Sequence, residues 1–346
     1  MHNFLYAIGA PLSPVYSLLM RIRARLYQKK VFRCKYLPVP VISVGNLTLG
    51  GTGKTPMVIS VVKSLQRAGY KPAVVSRGYG GAIKEPVNVV SDGKKIQLSP
   101  EMAGDEAVLL ADNLPGVPVL TGRIRSQVGK FAVDGMKADI IVLDDGFQHL
   151  ALHRDLNLVL FNSCNPIGNG KVFPGGELRE PLTALKRAHA FIITGNSTGS
   201  VNIEGFKAYL QQSLPSVPVF FGKYQVTSLV NGTNDRIMAM AEARRLRLLG
   251  FCGLARPESF QLSLQQEQLH VTDFVRFGDH HRYRIKDIKR LAKKAKGLNC
   301  DGLITTEKDF VKLKAMPHNF PIYILKARLS LDDDFESFLT DFVCPA

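Results

Sequence analysis

The chain has 346 residues, 45% hydrophobic and 21% charged, a balance that excludes a disordered chain and, at roughly 150 residues per domain, predicts two packed units. Lys and Arg outnumber Asp and Glu by 45 to 29, a formal charge of +16, so anionic partners are expected: nucleic acid, a phosphorylated substrate or an acidic membrane face. The absence of Trp argues against an aromatic stacking platform for single-stranded nucleic acid. Cys34, Cys164, Cys252, Cys300 and Cys344 lie far apart, with no CxxC pair, and read as free thiols of a reducing cytosol.

Residues 3–20 carry no Asp, Glu, Lys or Arg, but Gly9, Pro11 and Pro14 interrupt them and they fall short of the ~20 apolar residues of a membrane span. A secretory signal is also a poor fit, since the basic cluster follows the apolar stretch. After Pro14, Val15, Leu18, Leu19, Ile22 and Leu26 share one helical face. Arg21, Arg23 and Arg25 flank it, and Lys29, Lys30, Arg33 and Lys35 follow. The pattern suits either an interfacial helix, with its stripe in the headgroup boundary and its cations on anionic lipid, or a helix packed on its own domain.

Residues 39–44 form a short β-branched run, expected as a buried parallel strand. The loop GNLTLGGTGKTP follows from Gly45, and residues 57–68 have helical character with Gly69 as C-cap. Strand, glycine loop and helix in that order predict a phosphate cradle over Thr48, Leu49, Gly50, Gly51, Thr52, Gly53, Lys54 and Thr55. Glycines let backbone N–H groups close on phosphate oxygens, Lys54 reaches the β- and γ-phosphates, and the Thr55 hydroxyl binds Mg²⁺. The strict GxxxxGK[ST] spacing is not met, because Thr48 stands where its first glycine would.

Residues 72–76 read as another strand, emptying into Arg77-Gly78-Tyr79-Gly80-Gly81, where Arg77 can neutralise phosphate charge; a mobile surface loop fits equally. Gly104-Asp105-Glu106 opens a helical stretch, and either carboxylate also suits plain helix-start charge. Residues 140–143 form a buried strand ending in Asp144-Asp145-Gly146, where α/β sheets bind ligands. Asp144 is the Walker-B candidate for Mg²⁺, with Asp145 beside it. The loop PGGELREP, residues 174–181, carries Glu177, Arg179 and Glu180 and reads as a solvated turn. His280 and His281 are adjacent, without the partner set of a zinc site. Residues 301–305 lead into Thr306-Glu307-Lys308-Asp309, where Lys308 falls one position late for a guanine-reading element.

The set GNLTLGGTGKTP, SRGYGG, GDEA, DDGFQH, LREP, DHH and TTEKD, in order from about Val39 to Asp309, resembles the tetraacyldisaccharide 4'-kinase family. The resemblance implies transfer of the ATP γ-phosphate to the 4'-hydroxyl of an acylated glucosamine disaccharide 1-phosphate, at the cytoplasmic face of the inner membrane. It implies an α/β fold: a P-loop α/β/α lobe and a smaller second α/β/α lobe joined by a two-stranded β linker. Here that means a membrane-associating helix in residues 1–35, a kinase domain in 36–222, a hairpin linker in 223–242 and a C-terminal domain in 243–346. Asn231-Gly232, between apolar runs at 226–230 and 236–240, is an independent hairpin signal. By motif, Asp105 becomes the base that takes the sugar hydroxyl proton, supported by His280. Lys54, Arg77 and Mg²⁺ offset phosphate charge, and Tyr79, Glu106, Asp145 and Glu180 join the site. The positive charge is then assigned to anionic lipid and the substrate's phosphate, with no nucleic acid and no obligate protein partner. The alternative from charge and P-loop alone is a basic ATPase acting on nucleic acid.

Overall fold

Every residue of β1 (Val41–Asn46), β2 (Pro72–Ser76) and β5 (Ile140–Asp144) is buried, as expected where a near-continuous aliphatic run is covered on both faces of a parallel sheet. The computed structural model describes residues 2–195, 203–317 and 319–343. The other strands are β3 (Asn88–Asp92), β4 (Pro118–Thr121), β6 (Leu156–Asn162), β7 (Ala190–Thr194), β8 (Val219–Asn231), β9 (Ile237–Met238), β10 (Arg247–Cys252), β11 (His270–Arg276), β12 (Gly302–Thr306) and β13 (Ile322–Leu331). Among the described residues they form one 13-stranded α/β sheet, ordered β11-β10-β12-β13-β8-β7-β6-β1-β5-β2-β4-β3, with β9 beside β8.

The register of β8 explains how one sheet makes two facing halves. Its first part pairs parallel with β7, ending at Thr194 opposite Gly222. Its remainder, up to Asn231, runs past that edge and pairs antiparallel with β13. β10, β11 and β12 are parallel to β13. The C-terminal half therefore stands beyond the carboxyl edge of the N-terminal half and points its own carboxyl ends back at it. Loops after β1, β2 and β5 on one side, and after β11 and β12 on the other, meet across one cleft, where open parallel sheets bind ligands.

The P-loop helix, Lys54–Arg67, buries Met57, Val58, Val61, Val62 and Leu65. That stripe packs in one cluster with Ile42, Val44 and Val142 of the sheet and with the helix Asp105–Asn113. Each fully buried aliphatic side chain stabilises by about 1.5–3 kcal/mol, enough to pin the loop preceding the helix. The last helix, Asp333–Val343, returns to the first half and adds Phe335 and Leu339 to the same cluster.

The turn after β8 differs from a tight Asn-Gly hairpin. β9 pairs with β8 only at Leu229–Met238 and Val230–Ile237, closed by Asn231 N–H donating to Arg236 O at 2.9 Å. Asp235 takes the left-handed backbone conformation, φ 54°. Gly232 serves close approach instead, because a Cβ there would enter the Phe310 ring.

The N-terminal segment is helical over His2–Gly9 and Ser13–Gln28. Ser13 Oγ donates to Val172 O (2.7 Å) and accepts from Gly175 N–H (2.8 Å), Tyr16 meets Phe173 edge-on, and Arg23 donates to Gln148 O (3.1 Å). On the other side Ile8, Leu12, Val15, Leu18, Leu19 and Ile22 are exposed, Val15 at 58%. Docking on the chain and an outward apolar stripe thus occupy different faces of this N-terminal segment. No helix of the described residues is long and apolar enough to cross a membrane. Cys34, Cys164, Cys252 and Cys300 are free thiols; Cys344 lies outside the described residues.

Candidate active site

The P-loop helix begins at Lys54, three residues earlier than the sequence pattern indicated, so its first N–H groups and positive dipole end face the loop. Gly53 has φ +80°, and the Tyr224 hydroxyl lies against it so closely that any Cβ would collide. Asn46, fully buried at the end of β1, donates to Thr48 O (2.8 Å) and accepts from Lys54 Nζ (3.3 Å). Thr194 Oγ donates to Thr52 O at 2.9 Å. Leu49 N–H donates to Glu177 O (2.7 Å) and Arg179 N–H to Leu47 O (2.7 Å). The loop read as a solvated turn thereby clamps the cradle, while Gly50 and Gly51 face open space.

Asp144 is 2% exposed at the tip of β5. Ser76 Oγ donates to its Oδ2 at 3.0 Å, and its Oδ1 has no partner. Burial first, then the negative charges of Glu106 and Asp145, push this carboxyl up from its ordinary value. A buried carboxylate oxygen without a donor is costly, and a cation would supply what is missing. Among the described residues no three His, Cys, Asp or Glu side chains converge on a metal position, which suits an ion held chiefly by phosphates, water, one carboxylate and the buried Thr55 hydroxyl. Asp145 is turned elsewhere: Arg179 binds both its oxygens (2.8 and 2.9 Å), and Lys54 Nζ is 3.7 Å away. Burial opposes its ionisation, but Lys54 and Arg179 prevail and hold it below the ordinary range.

Across the cleft His280, φ 54°, extends from the loop after β11 to Asp105. Its Nδ1 is 3.1 and 3.2 Å from the two Asp105 oxygens. Burial disfavours the Asp105 carboxylate, yet the His280 hydrogen bond and the charges of Lys308, His280 and Lys312 overcome it and hold the group at about 2. Lys308 Nζ donates to Glu106 (3.1 Å) and lies 3.3 Å from His280 Nε2. An ammonium has no lone pair, so it donates and Nε2 accepts, which leaves the ring proton on Nδ1, directed at Asp105. Lys312, 8% exposed, sits 3.6 Å from Asp105 and 3.1 Å from Asp309. Asp309 is tied down by Tyr283 Oη (3.0 Å), Gly253 N–H (3.0 Å) and Thr306 Oγ (2.9 Å).

The cleft thus gathers Lys54, Thr55, Asp144, Asp145, Asp105 and Glu106 from the first half of the chain, and His280 reaches Asp105 from the second. Tyr79 is 70% exposed with its ring 5.8 Å from that of His280. Glu180 is 3% exposed and bound by Arg187 at 2.6 Å, at the edge of the arginine-lined cavity beside the cradle. His281 pairs with Asp287 at 3.2 Å, away from Asp105. Sequence reasoning did not assign Lys308, Lys312, Asp309 or Tyr224 to the site. Thr305-Thr306-Glu307-Lys308-Asp309 at a strand end was the available signal for Lys308 and Asp309.

A family model described as tetraacyldisaccharide-1-P 4'-kinase matches residues 5–344. The chain is 41% identical over 338 residues to tetraacyldisaccharide 4'-kinase from Desulfotalea psychrophila, covering 97% of this chain and 96% of that one. It is 43% identical over 318 residues to the enzyme of that name from Syntrophus aciditrophicus, covering 89% and 85%. The crystal structure of LpxK from Aquifex aeolicus in complex with ATP superposes with a TM-score of 0.76 at 29% identity, covering 96% of each chain. With a cradle for nucleotide phosphates facing a carboxylate–imidazole pair, and these matches along its whole length, the chain belongs to the tetraacyldisaccharide-1-P 4'-kinase family.

Proposed function

We propose that the protein transfers the γ-phosphate of ATP to the 4'-hydroxyl of a tetraacylated glucosamine disaccharide 1-phosphate, giving the 1,4'-bisphosphate precursor of lipid A. The observation that carries this reading is the Asp105–His280 pair, 3.1 Å apart, formed across the cleft into which the phosphate cradle opens. The hydroxyl oxygen attacks the γ-phosphorus as the bridging P–O bond to the β-phosphate breaks, and the hydroxyl proton passes to Asp105. In a loose transition state proton removal comes late, so a carboxylate of low basicity serves. His280 orients that carboxylate through Nδ1–H. Lys54 and the helix N-terminus draw charge toward the leaving diphosphate, and Arg77 offsets charge on the transferred group. Thr55 and Asp144 are the residues that would hold Mg²⁺, which would offset negative charge on the phosphates.

The substrate carries four acyl chains, so the acceptor must be met at a bilayer. We assign the exposed stripe Ile8–Leu12–Val15–Leu18–Leu19–Ile22 to the headgroup boundary of an anionic membrane, peripherally and at the cytoplasmic face, with Arg21 and Arg25 beside it. The two halves act as lobes, 36–222 and 243–346, on either side of the β8–β13 junction, with the last helix packed on the first lobe. Incubation of the purified protein with labelled ATP and the acylated disaccharide 1-phosphate, with the position of the new ester read by NMR, tests the reading. A new phosphate at the 4'-oxygen supports it; ATP hydrolysis without a phosphorylated lipid sinks it.

A further inference from the structure

Lys312 has no part in the chemistry above, yet its side chain is only 8% exposed and lies where the two halves of the chain meet. Its Nζ stands 3.1 Å from Asp309 Oδ1 and 3.6 Å from Asp105 Oδ2. The Tyr283 ring, 5.2 Å away, covers it, and among the described residues no group accepts a hydrogen bond from it. A buried ammonium with its N–H groups unspent costs free energy unless charge nearby compensates. Asp309 alone does not explain the placement. That carboxylate is fully buried, but both its oxygens already receive hydrogen bonds, Oδ1 from Tyr283 Oη and Oδ2 from Gly253 N–H and Thr306 Oγ. Gly253 follows β10, Tyr283 lies between β11 and the helix Ile285–Gly297, and Thr306 ends β12. Asp309 is therefore fixed to the carboxyl edge of the second half, and Lys312, three residues on, is braced by it and directed at the first half.

On that side stands Asp105. Lys308 already gives its ammonium to Glu106 and His280 Nε2, and the His280 side chain is 33% exposed. Lys312 differs from both in being enclosed, anchored from behind and committed to no hydrogen bond. It faces Asp105 Oδ2, the oxygen that His280 Nδ1 approaches at 3.1 Å. A cation so close favours the carboxylate over the acid, and Lys312 is among the charges that hold Asp105 at about 2 against the effect of burial. We propose that Lys312 is a positioning residue for phosphoryl transfer, which, braced by Asp309, keeps the Asp105 carboxylate ionised and in place to receive the acceptor's proton. It acts through Asp105 and touches neither substrate. The assignment rests on the reading of Asp105 as the base and adds the group that holds that base ready.

The test is single-turnover transfer from labelled ATP to the acylated disaccharide 1-phosphate, with ATP affinity as the fold control. Lys312→Met keeps the aliphatic stem and removes the charge. It is expected to slow transfer about 10- to 100-fold at saturating substrates, part of what a positioned base supplies, with KM for both substrates within about twofold of the parent. Because that variant leaves Asp309 buried without its counter-charge, Lys312→Met is also combined with Asp309→Asn, which removes the pair together; this variant should be equally slow. In an Asp105→Asn background Lys312→Met should cost less than about twofold further, since residues that act as a unit are not additive. Lys314→Met, which breaks the 2.8 Å pair with Asp112 between the same two halves, should transfer at the parental rate. Parental transfer in the combined Lys312→Met and Asp309→Asn variant would overturn the proposal by reducing Lys312 to the counter-ion of Asp309. A full, additive loss in the Asp105→Asn background, or the same loss in Lys314→Met, would overturn it in favour of a merely structural role. Parental transfer in Asp105→Asn alone would instead refute the base reading, and the positioning role with it.

Discussion

Replacing Lys308 by Met tests whether the ammonium behind His280 opposes protonation of its ring. The ammonium stands 3.3 Å from Nε2, so protonating that nitrogen would set two cations at this distance, a repulsion of about 5 kcal/mol at an effective dielectric of ~20. The His280 side chain is 33% exposed, and solvent screens part of this. The groups facing the ring are Asp105, Asp279, Lys308 and, by ring contact, Tyr79. The Asp105 hydrogen bond raises its pKa above the ordinary histidine value, while burial and Lys308 lower it. Removing Lys308 deletes a lowering influence, so the midpoint climbs, by about one to two units when a few kcal/mol are recovered. The imidazolium then persists to higher pH, binds the Asp105 carboxylate as an ion pair and weakens it as a base, and the acid limb of kcat/KM moves to higher pH. Nitrogen-resolved NMR, with His280→Gln as the assignment control, reports the ring directly. The parent should carry its proton on Nδ1 with Nε2 unprotonated, and Lys308→Arg should preserve that state. A midpoint that stays put or falls in Lys308→Met, or a parent ring protonated on Nε2, would refute the reasoning.

Two further outcomes are expected. The folded-state value of Asp105 is about 2 against an ordinary 3.8, a depressed carboxyl, so its contribution is complete above pH ~4 and disappears as pH falls through ~2, on the order of 2 kcal/mol. Urea midpoints of the parent and Asp105→Asn should therefore differ at pH 6 and converge on acidification; a constant gap would show that charge is not the cause. Changing Val15, Leu18 and Ile22 to Ser should weaken partition into vesicles containing anionic lipid by about tenfold or more, since each exposed aliphatic side chain is worth about 1.5–3 kcal/mol when buried, with ATP affinity retained. Unchanged partition in a sedimentation assay would remove the stripe from the membrane account.

The nucleotide wall was legible because its chemistry is local. A β-branched run, a glycine loop ending in Lys54-Thr55 and an aliphatic run ending in Asp144 each form one element, and the sheet places them side by side. The Asp105–His280 pair was legible only through the family resemblance, since these residues are 175 positions apart and meet because β8 overruns β7 and reverses the second half of the sheet. Lys308 and Lys312 depend on the same long-range event, and next to a strand end their motif invited comparison with a guanine reader. Tyr224 was hidden for a different reason: its hydroxyl matters only because Gly53 leaves room for it. In the N-terminal helix, periodicity located the apolar stripe but not the side covered by the chain, which Ser13 and Tyr16 decide through contacts with a loop some 160 residues away.

The account stands on Asp105 receiving the acceptor's proton while nucleotide binding depends on the P-loop cradle. Single-turnover transfer from labelled ATP to the acylated disaccharide 1-phosphate, measured in the parent and in Asp105→Ala alongside nucleotide affinity, separates the two roles most directly. Transfer in Asp105→Ala should drop by roughly 10²–10⁴-fold, the usual contribution of a positioned base, with ATP affinity close to that of the parent. Parental transfer rates in Asp105→Ala would contradict the account.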